Sequence, residues 1–188
     1  MIGYACIHMG LREKGIFTNR TMRKATLEEK GHDYLSEIII QNLKDMKTIL
    51  ETNESNEIRF FRMSSEIFPF YSHPVLGYDI ESLPESNIIL SLLKDIGDYA
   101  TKHNHRLTTH PGPFNVLASR NQNVVDKTIL DLECHSRIFD LMGLEPSVYN
   151  KINIHVGGAY GEPVKALERF CSNFELLSEN CKLRLTVE

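Results

Sequence analysis

Short apolar segments alternate with longer segments of helical periodicity along the whole chain. Five mainly apolar runs are strand candidates, at residues 2–7, 57–63, 106–110, 151–156 and 182–188. Between them, apolar residues recur every three or four positions, a spacing that places them on one face of a helix. The helices predicted in this way span 33–50, 87–103, 122–142 and 163–178. Strands that alternate with helices favour a parallel sheet covered by helices, which is an α/β fold.

Individual residues mark where these helices begin and end. Ser86 can cap the helix that follows it, and Gly143 is suited to a helix C-terminus. Pro163 suits a first helical turn, because its missing N–H is not needed there. Two long loops, at 8–32 and 63–86, follow the first and second strands. Since α/β folds keep their sites at the carboxyl ends of parallel strands, we expect these loops at the functional edge.

The last predicted strand runs to Glu188, and no helix follows it. A closed barrel of eight strands typically needs about 250 residues. We therefore expect residues 1–188 to form a single truncated domain, with about the first five βα units of a TIM-barrel type (β/α)8 fold. Open sheet edges and apolar faces in such a domain would favour self-association.

Composition narrows the choice of partner and compartment. The formal net charge is −4, so contact with nucleic acid requires a local basic patch. The four cysteines form no Cys-x-x-Cys pair, which argues against a zinc ribbon and for a reducing compartment. No apolar run reaches the roughly 18–20 residues of a membrane span, and no secretory signal is recognisable. We expect an intracellular protein, in the cytoplasm or in a eukaryotic nucleus, with no membrane partner.

Several histidines lie at the ends of predicted strands. His8, His110 and His155 are at or near the carboxyl ends of three strands, and Glu188 ends the fifth. His73 lies in the long loop after the second strand. One strand-end histidine is more often a hydrogen-bonded structural residue than a ligand. Several imidazoles and a carboxylate on one rim, however, indicate a site for a divalent metal.

Two loops on the same rim suit a phosphate-containing ligand. The loop 11–24 carries five cations against one acid, although a solvated loop would also explain it. The sequence "HVGGAYGEP" at 155–163 is a glycine-rich turn between a strand and a helix, where backbone N–H groups can approach a phosphate. It matches neither Gly-x-Gly-x-x-Gly nor a Walker loop, so a nucleotide cofactor is not supported. Beside His155, a phosphodiester is the more reasonable ligand.

Taken in order, several segments resemble the UV damage endonuclease (UvdE/UvsE) family. They include "IGYACI", "TNRTMRKATLEE", "FRMSSEIFPFYSHP", "HPGPF", "INIHVGGAYGE" and "LRLTVE", and the resemblance runs along essentially the whole chain. It implies a TIM barrel related to the endonuclease IV type of nuclease. It also implies a cluster of divalent ions, usually manganese, and nicking of double-stranded DNA immediately 5′ to a photoproduct during excision repair.

The resemblance also implies roles for individual residues. The implied metal ligands are His73, His110, His155 and Glu188. Pro113 and Phe114 match a dipeptide that probes the duplex at the lesion, although the family typically has Gln where Pro113 stands. The other implied contacts with DNA or the lesion are Tyr4, Asn19, Arg20 and Arg23, and the phosphate-contact candidates are Gly157, Gly158 and Lys165. His8 stands where an asparagine is expected, so its role is open.

Further family ligands come from strands beyond the one that ends at Glu188, so we expect the chain as given to be inactive or weakly active. One alternative is a sugar isomerase or epimerase built on a divalent-metal TIM barrel. A second is a damaged-DNA-binding module without catalysis. The basic loop and the Pro113–Phe114 dipeptide favour DNA over a small sugar, because a sugar enzyme needs neither.

Overall fold

The computed structural model describes residues 2–188. Its strands are β1 (Gly3–Ala5), β2 (Phe60–Met63), β3 (Arg106–Thr109), β4 (Ile152–Ile154) and β5 (Leu185–Val187). Its α-helices are α1 (Met9–Arg12), α2 (Lys24–Ser55), α3 (Ser86–Lys102), α4 (Gln122–Leu141), α5 (Pro163–Phe174) and α6 (Glu179–Arg184). A short 3-10 helix spans Ile80–Ser82.

The five strands form one sheet in the order β1-β2-β3-β4-β5. All four neighbouring pairs are parallel. Each strand is therefore joined to the next by a helical crossover, and the carboxyl ends of all five strands lie at the same edge. The predicted α/β fold with a parallel sheet is confirmed.

The core lies between the sheet and the helices. Phe61 of β2 and Leu107 of β3 are completely buried on the face that the helices cover. The predicted apolar stripe of α2 packs in this core, through Leu35, Ile39, Leu43, Met46, Ile49 and Leu50. The helix–sheet packing fixes the strand ends, where the predicted site residues lie.

Helix α2 begins at Lys24 and not at Asp33. It consists of two helical segments joined at Gly31, whose φ of 70° and ψ of −169° are not helical. Because only glycine adopts this conformation readily, the break falls there. Part of the long loop predicted at 8–32 is therefore helical, and α1 accounts for another part.

Two helix boundaries also differ from those predicted. The residue before α3 is Glu85 and no side chain caps the helix, so Ser86 is its first residue and not its cap. The predicted strand 182–188 is strand only from Leu185 to Val187, because α6 occupies the first part. Helix α6 is capped by the Ser178 hydroxyl, which accepts a hydrogen bond from the Cys181 N–H.

Within residues 2–188, no helix is both long and apolar enough to cross a membrane. The cysteines are free thiols. Burial raises the pKa of Cys134 and of Cys181 to about 12, so neither thiol is a nucleophile near neutral pH.

Candidate metal centre and exposed turn

Three of the predicted ligands follow three neighbouring strands. His110 comes directly after β3, His155 after β4 and Glu188 after β5. Ile154 packs in the core, so the alternation of side chains along a strand directs His155 to the opposite, open face of the sheet. The Glu188 N–H donates to the Ile154 carbonyl at 3.0 Å, which holds Glu188 beside His155. The parallel sheet thus brings together residues that are far apart in the sequence.

The three side chains form a compact group. His110 Nε2 lies 3.0 Å from Glu188 Oε1, and His155 Nε2 lies 3.7 Å from the same oxygen. The two imidazole rings meet edge to face, with centroids 5.1 Å apart. One nitrogen or oxygen from each residue lies within 4.8 Å of the others, and this is the one such group found within residues 2–188. Imidazole and carboxylate donors suit a divalent transition metal.

The contacts of the two His110 ring nitrogens bear on whether a cation fits this group. Its Nδ1 lies 3.0 Å from the Pro111 carbonyl oxygen and its Nε2 faces Glu188, so both nitrogens meet acceptors. A neutral imidazole has a single N–H. In the metal-free chain Nε2 can donate to Glu188, and if a cation binds at Nε2 the single N–H lies on Nδ1 and donates to the Pro111 carbonyl. Metal-ligating histidines usually donate their other N–H to such a carbonyl or carboxylate.

Glu188 is the ionised partner in the group. Hydrogen bonds from His110 and then Asn153 lower the pKa of its carboxyl below the usual range. Asn153 is itself fixed, because Thr186 donates to its Oδ1 at 2.6 Å and Lys151 Nζ lies 3.5 Å from the same atom. Polar side chains on the open face of β4 and β5 therefore hold Glu188 in position through Asn153.

His73 and His8 lie outside the group. His73 is exposed, and its Nδ1 accepts hydrogen bonds from the N–H groups of Val75 and Leu76 at 3.2 Å and 3.0 Å. Its Nε2 is not used in this turn, so its role as a ligand stays a prediction. His8 is the N-cap of α1, and its Nδ1 accepts from the Leu11 N–H at 3.1 Å.

The segment after His110 presents an aromatic ring to solvent. Pro113 and Phe114 are exposed, and Phe114 retains 86% of its accessible surface. Phe114 is one of the most exposed large apolar side chains of the described chain, while the preceding Pro111 is buried. Single exposed apolar side chains are common on protein surfaces, so it is the position of Phe114 in the turn that follows His110, and not its exposure alone, that makes it a candidate contact.

The other predicted DNA contacts occupy mixed environments. The Arg20 guanidinium pairs with Asp45 at 2.7 Å and donates to the carbonyls of Phe17 and Gly15, so it holds its own loop in place. Tyr4 lies between sheet and helices, and its hydroxyl donates to Asn53 of α2 at 2.7 Å. Arg23 is exposed directly before α2, and Asn19 is half-buried. The contacts of these residues with DNA stay predictions.

The glycine-rich turn packs closely against the loop that follows β3. Gly157 and Gly158 have φ of 59° and 62°, and a Cβ on Gly158 would lie 2.7 Å from the Ala118 carbonyl oxygen. Arg169 of α5 bridges both loops by donating to the carbonyls of Ala118 and Gly158, each at 2.7 Å. Arg169 was not predicted from the sequence, because its position in the helix belongs to no recognisable motif. Lys165 Nζ pairs with Glu162, and its contact with phosphate stays a prediction.

Comparison with known proteins places this geometry in a family. The family model described as UV-endonuclease UvdE matches residues 1–188. A protein of Acanthamoeba polyphaga mimivirus is 40% identical, covering 100% of this chain and 56% of its own length. The UV-damage endonuclease of Schizosaccharomyces pombe is 37% identical, with 100% of this chain and 31% of that protein covered. The UV DNA damage endonuclease of Clostridium perfringens is 35% identical, with 100% of this chain and 42% of that protein covered.

The crystal structure of SacUVDE superposes with a TM-score of 0.86 at 32% identity, and the match covers 98% of this chain and 59% of that one. This likeness confirms the TIM-barrel type predicted for the fold. The chain spans little more than half the length of SacUVDE and of the mimivirus protein, and less than half of the other two relatives. Because the family model matches the chain from residue 1 to residue 188, the chain belongs to the UV-endonuclease UvdE family.

Proposed function

We propose that the protein is a metal-dependent DNA endonuclease. It hydrolyses the phosphodiester on the 5′ side of UV photoproducts in double-stranded DNA during repair. The observation that carries this proposal is the convergence of His110, His155 and Glu188 at the ends of β3, β4 and β5, with the exposed Phe114 in the turn that follows His110. The names of the relatives and the family membership support it.

The donor set fits a divalent ion, and we propose Mn²⁺, held by His110, His155 and Glu188, with His73 as a further ligand. A bound ion would supply Lewis acidity, lowering the pKa of a water molecule and neutralising charge on the phosphate. Two features of the chain itself favour binding of such an ion. Glu188 is kept ionised, and the Pro111 carbonyl orients the His110 ring.

The exposed turn supplies the selectivity in this proposal. An aromatic side chain can enter the space left where base pairs are weakened or displaced, and damaged pairs require less energy to open. Phe114 is free to do so, since 86% of its surface is accessible. A sugar isomerase or epimerase has no use for a ring exposed to solvent next to its metal, so this observation favours DNA.

The experiment is incision of an end-labelled, UV-irradiated duplex in the presence of Mn²⁺. It compares the chain with His110→Ala, His155→Ala and the control His32→Ala, whose exposed side chain lies on α2 outside the candidate group. We expect a weak nick 5′ to the lesion from the chain and the control, in keeping with the weak activity expected above, and its loss in the other two variants.

The remaining outcomes decide between the alternatives. Damage-selective binding without any nick would contradict the nuclease proposal for this chain and favour the binding module. If the chain neither binds nor cuts the irradiated duplex, the proposal is wrong.

A further inference from the structure

The turn that carries Phe114 is closed by its last residue. The N–H of Asn115 and its side-chain Nδ2 both donate to the Gly112 carbonyl, each at 3.1 Å. Pro113 and Phe114 form the exposed apex between these two residues. Asn115 therefore sets the shape of the turn that presents the ring.

Helix α4 anchors this turn through two side chains one turn apart. Asn115 Nδ2 also donates to Asp131 Oδ2 at 2.8 Å, and the Val116 N–H donates to Thr128 Oγ1 at 3.0 Å. The other carboxylate oxygen of Asp131 accepts from the Ser72 hydroxyl, in the loop after β2. One carboxylate thus joins the Phe114 turn, helix α4 and the 64–76 loop.

The partly buried environment of the Asp131 carboxylate strengthens these hydrogen bonds. Its side chain is only 22% exposed, and the buried His135 of α4 has its Nε2 3.8 Å from Asp131 Oδ2. Hydrogen bonds to an ionised group are about twice as strong as neutral ones. Little else supports the turn on this side, since a groove of about 680 Å³ lies between it and the residues 65–74.

We infer that Asp131 is a positioning residue, which holds the Pro113–Phe114 turn in the conformation that enters damaged DNA. This inference rests on the proposed function, in which Phe114 probes the duplex. A loop that is ordered before binding avoids the entropic cost of ordering on contact. The hydrogen bonds of Asp131 should therefore increase the preference for damaged over undamaged DNA. Without the carboxylate, Asn115 and Ser72 lose their shared acceptor; the turn keeps its own bonds from Asn115 to the Gly112 carbonyl, but Thr128 becomes its one remaining hydrogen bond to helix α4 in the described structure.

A double-mutant cycle tests this inference. Dissociation constants are measured by fluorescence anisotropy for a duplex with one cyclobutane thymine dimer and for the same duplex undamaged. Their ratio is compared among the parent chain, Phe114→Ala, Asp131→Ala and the double variant. We expect Asp131→Ala to reduce the selectivity ratio about fivefold to tenfold, the range of one or two lost hydrogen bonds. It should have no further effect in the Phe114→Ala background, because a positioning residue acts only through the ring.

The conservative variant and the control separate positioning from general destabilisation. Asp131→Asn keeps one acceptor oxygen, so it should retain part of the selectivity. Asp126→Ala removes an exposed carboxylate on the same helix that accepts only from Gln122, and should leave the ratio unchanged. If Asp131→Ala does not fold, the same cycle with Asn115→Ala decides.

Two results would overturn the inference. Equal losses from Asp131→Ala with and without Phe114 would mean that the carboxylate acts on the fold as a whole. A parent chain without selectivity, or a Phe114→Ala variant that keeps it, would remove the proposed role of the ring and the inference with it. A loss in Phe114→Ala with none in Asp131→Ala would leave the proposed function standing and reject the inference alone.

Discussion

At the scale of single residues, the histidines differ by what faces each ring nitrogen. His8 accepts one backbone N–H and caps a helix. His105 is buried, with its Nε2 3.0 Å from Glu54, and its Nδ1 has no hydrogen-bond partner within residues 2–188. His110 instead has an acceptor at each nitrogen. The sequence could place these residues at strand or helix ends, but only side-chain contacts distinguish a cap, a core residue and a candidate ligand.

The buried histidines predict that the protein loses stability in mild acid. Burial lowers the pKa of His105 and of His135 below the ordinary value of 6.5. The unfolded chain then takes up protons before the folded chain does, so stability is full above about pH 6.5 and falls as the pH decreases towards the folded-state pKa. We expect the melting temperature to fall between about pH 7 and pH 5.

The variant His105→Gln tests the assignment. Glutamine can still donate to Glu54 but does not titrate, so its melting temperature should depend less on pH, with the remaining slope due to His135. His32→Gln, at an exposed position, serves as the control and should follow the parent chain. Parallel profiles for all three proteins would show that His105 does not cause the loss.

At the scale of elements, periodicity predicted most of the fold because the long helices bury a regular stripe. The strand predicted at 182–188 was wrong at 182–184, where short-range alternation in "KLRL" resembled a strand but the residues belong to α6. There Cys181 and Arg184 are both buried three residues apart, which is helical spacing. The burial of an arginine could not be predicted, because it depends on partners from another element.

Arg184 joins α6 to α4, and we expect its removal to be costly. Its side chain is fully buried and donates to Ser136 Oγ at 3.0 Å, Asp140 Oδ1 at 2.8 Å and the Leu144 carbonyl at 2.6 Å. After Arg184→Ala, Asp140 keeps a hydrogen bond from Asn180 at 3.1 Å, but Ser136 and the Leu144 carbonyl lose the donor that Arg184 provides. The lost hydrogen bonds and the lost packing of a fully buried side chain should together cost about 3 kcal/mol.

Urea denaturation of Arg184→Ala and of Arg137→Ala provides a matched comparison. Arg137 pairs with Glu81 at the surface, where both side chains are well exposed, so its removal should cost about 1 kcal/mol or less. A free energy of unfolding that changes equally in the two variants would contradict the role given to Arg184.

At the scale of the whole molecule, the candidate site depends on three strands ending at one edge. That much was predictable, since parallel strands share their carboxyl edge and each of the three candidate ligands follows a strand. The Asp131 network was not, because Ser72, Asn115 and Asp131 come from two loops and a helix with no common period. A hydrogen bond between loops depends on tertiary packing, on which local sequence patterns carry little information.

Because the candidate ligands follow β3, β4 and β5, a metal bound to them should stabilise the fold as a unit. An ion that binds only the folded chain raises stability by about 2.7 kcal/mol at a hundredfold excess over its dissociation constant. We expect Mn²⁺ to raise the melting temperature of the chain, measured by circular dichroism, and to have little effect on His110→Ala or His155→Ala.

Melting temperatures measured with and without Mn²⁺ also test whether His73 is a ligand. Its Nδ1 is engaged by the N–H groups of Val75 and Leu76, so only Nε2 is available to an ion. If His73 is a ligand, His73→Ala will show a smaller Mn²⁺-induced rise than the parent chain, beyond any change in its metal-free melting temperature. An undiminished rise would exclude His73 and restrict the site to His110, His155 and Glu188. A parent chain that Mn²⁺ does not stabilise would contradict the metal site itself, since three converging ligands must favour the folded state when they bind.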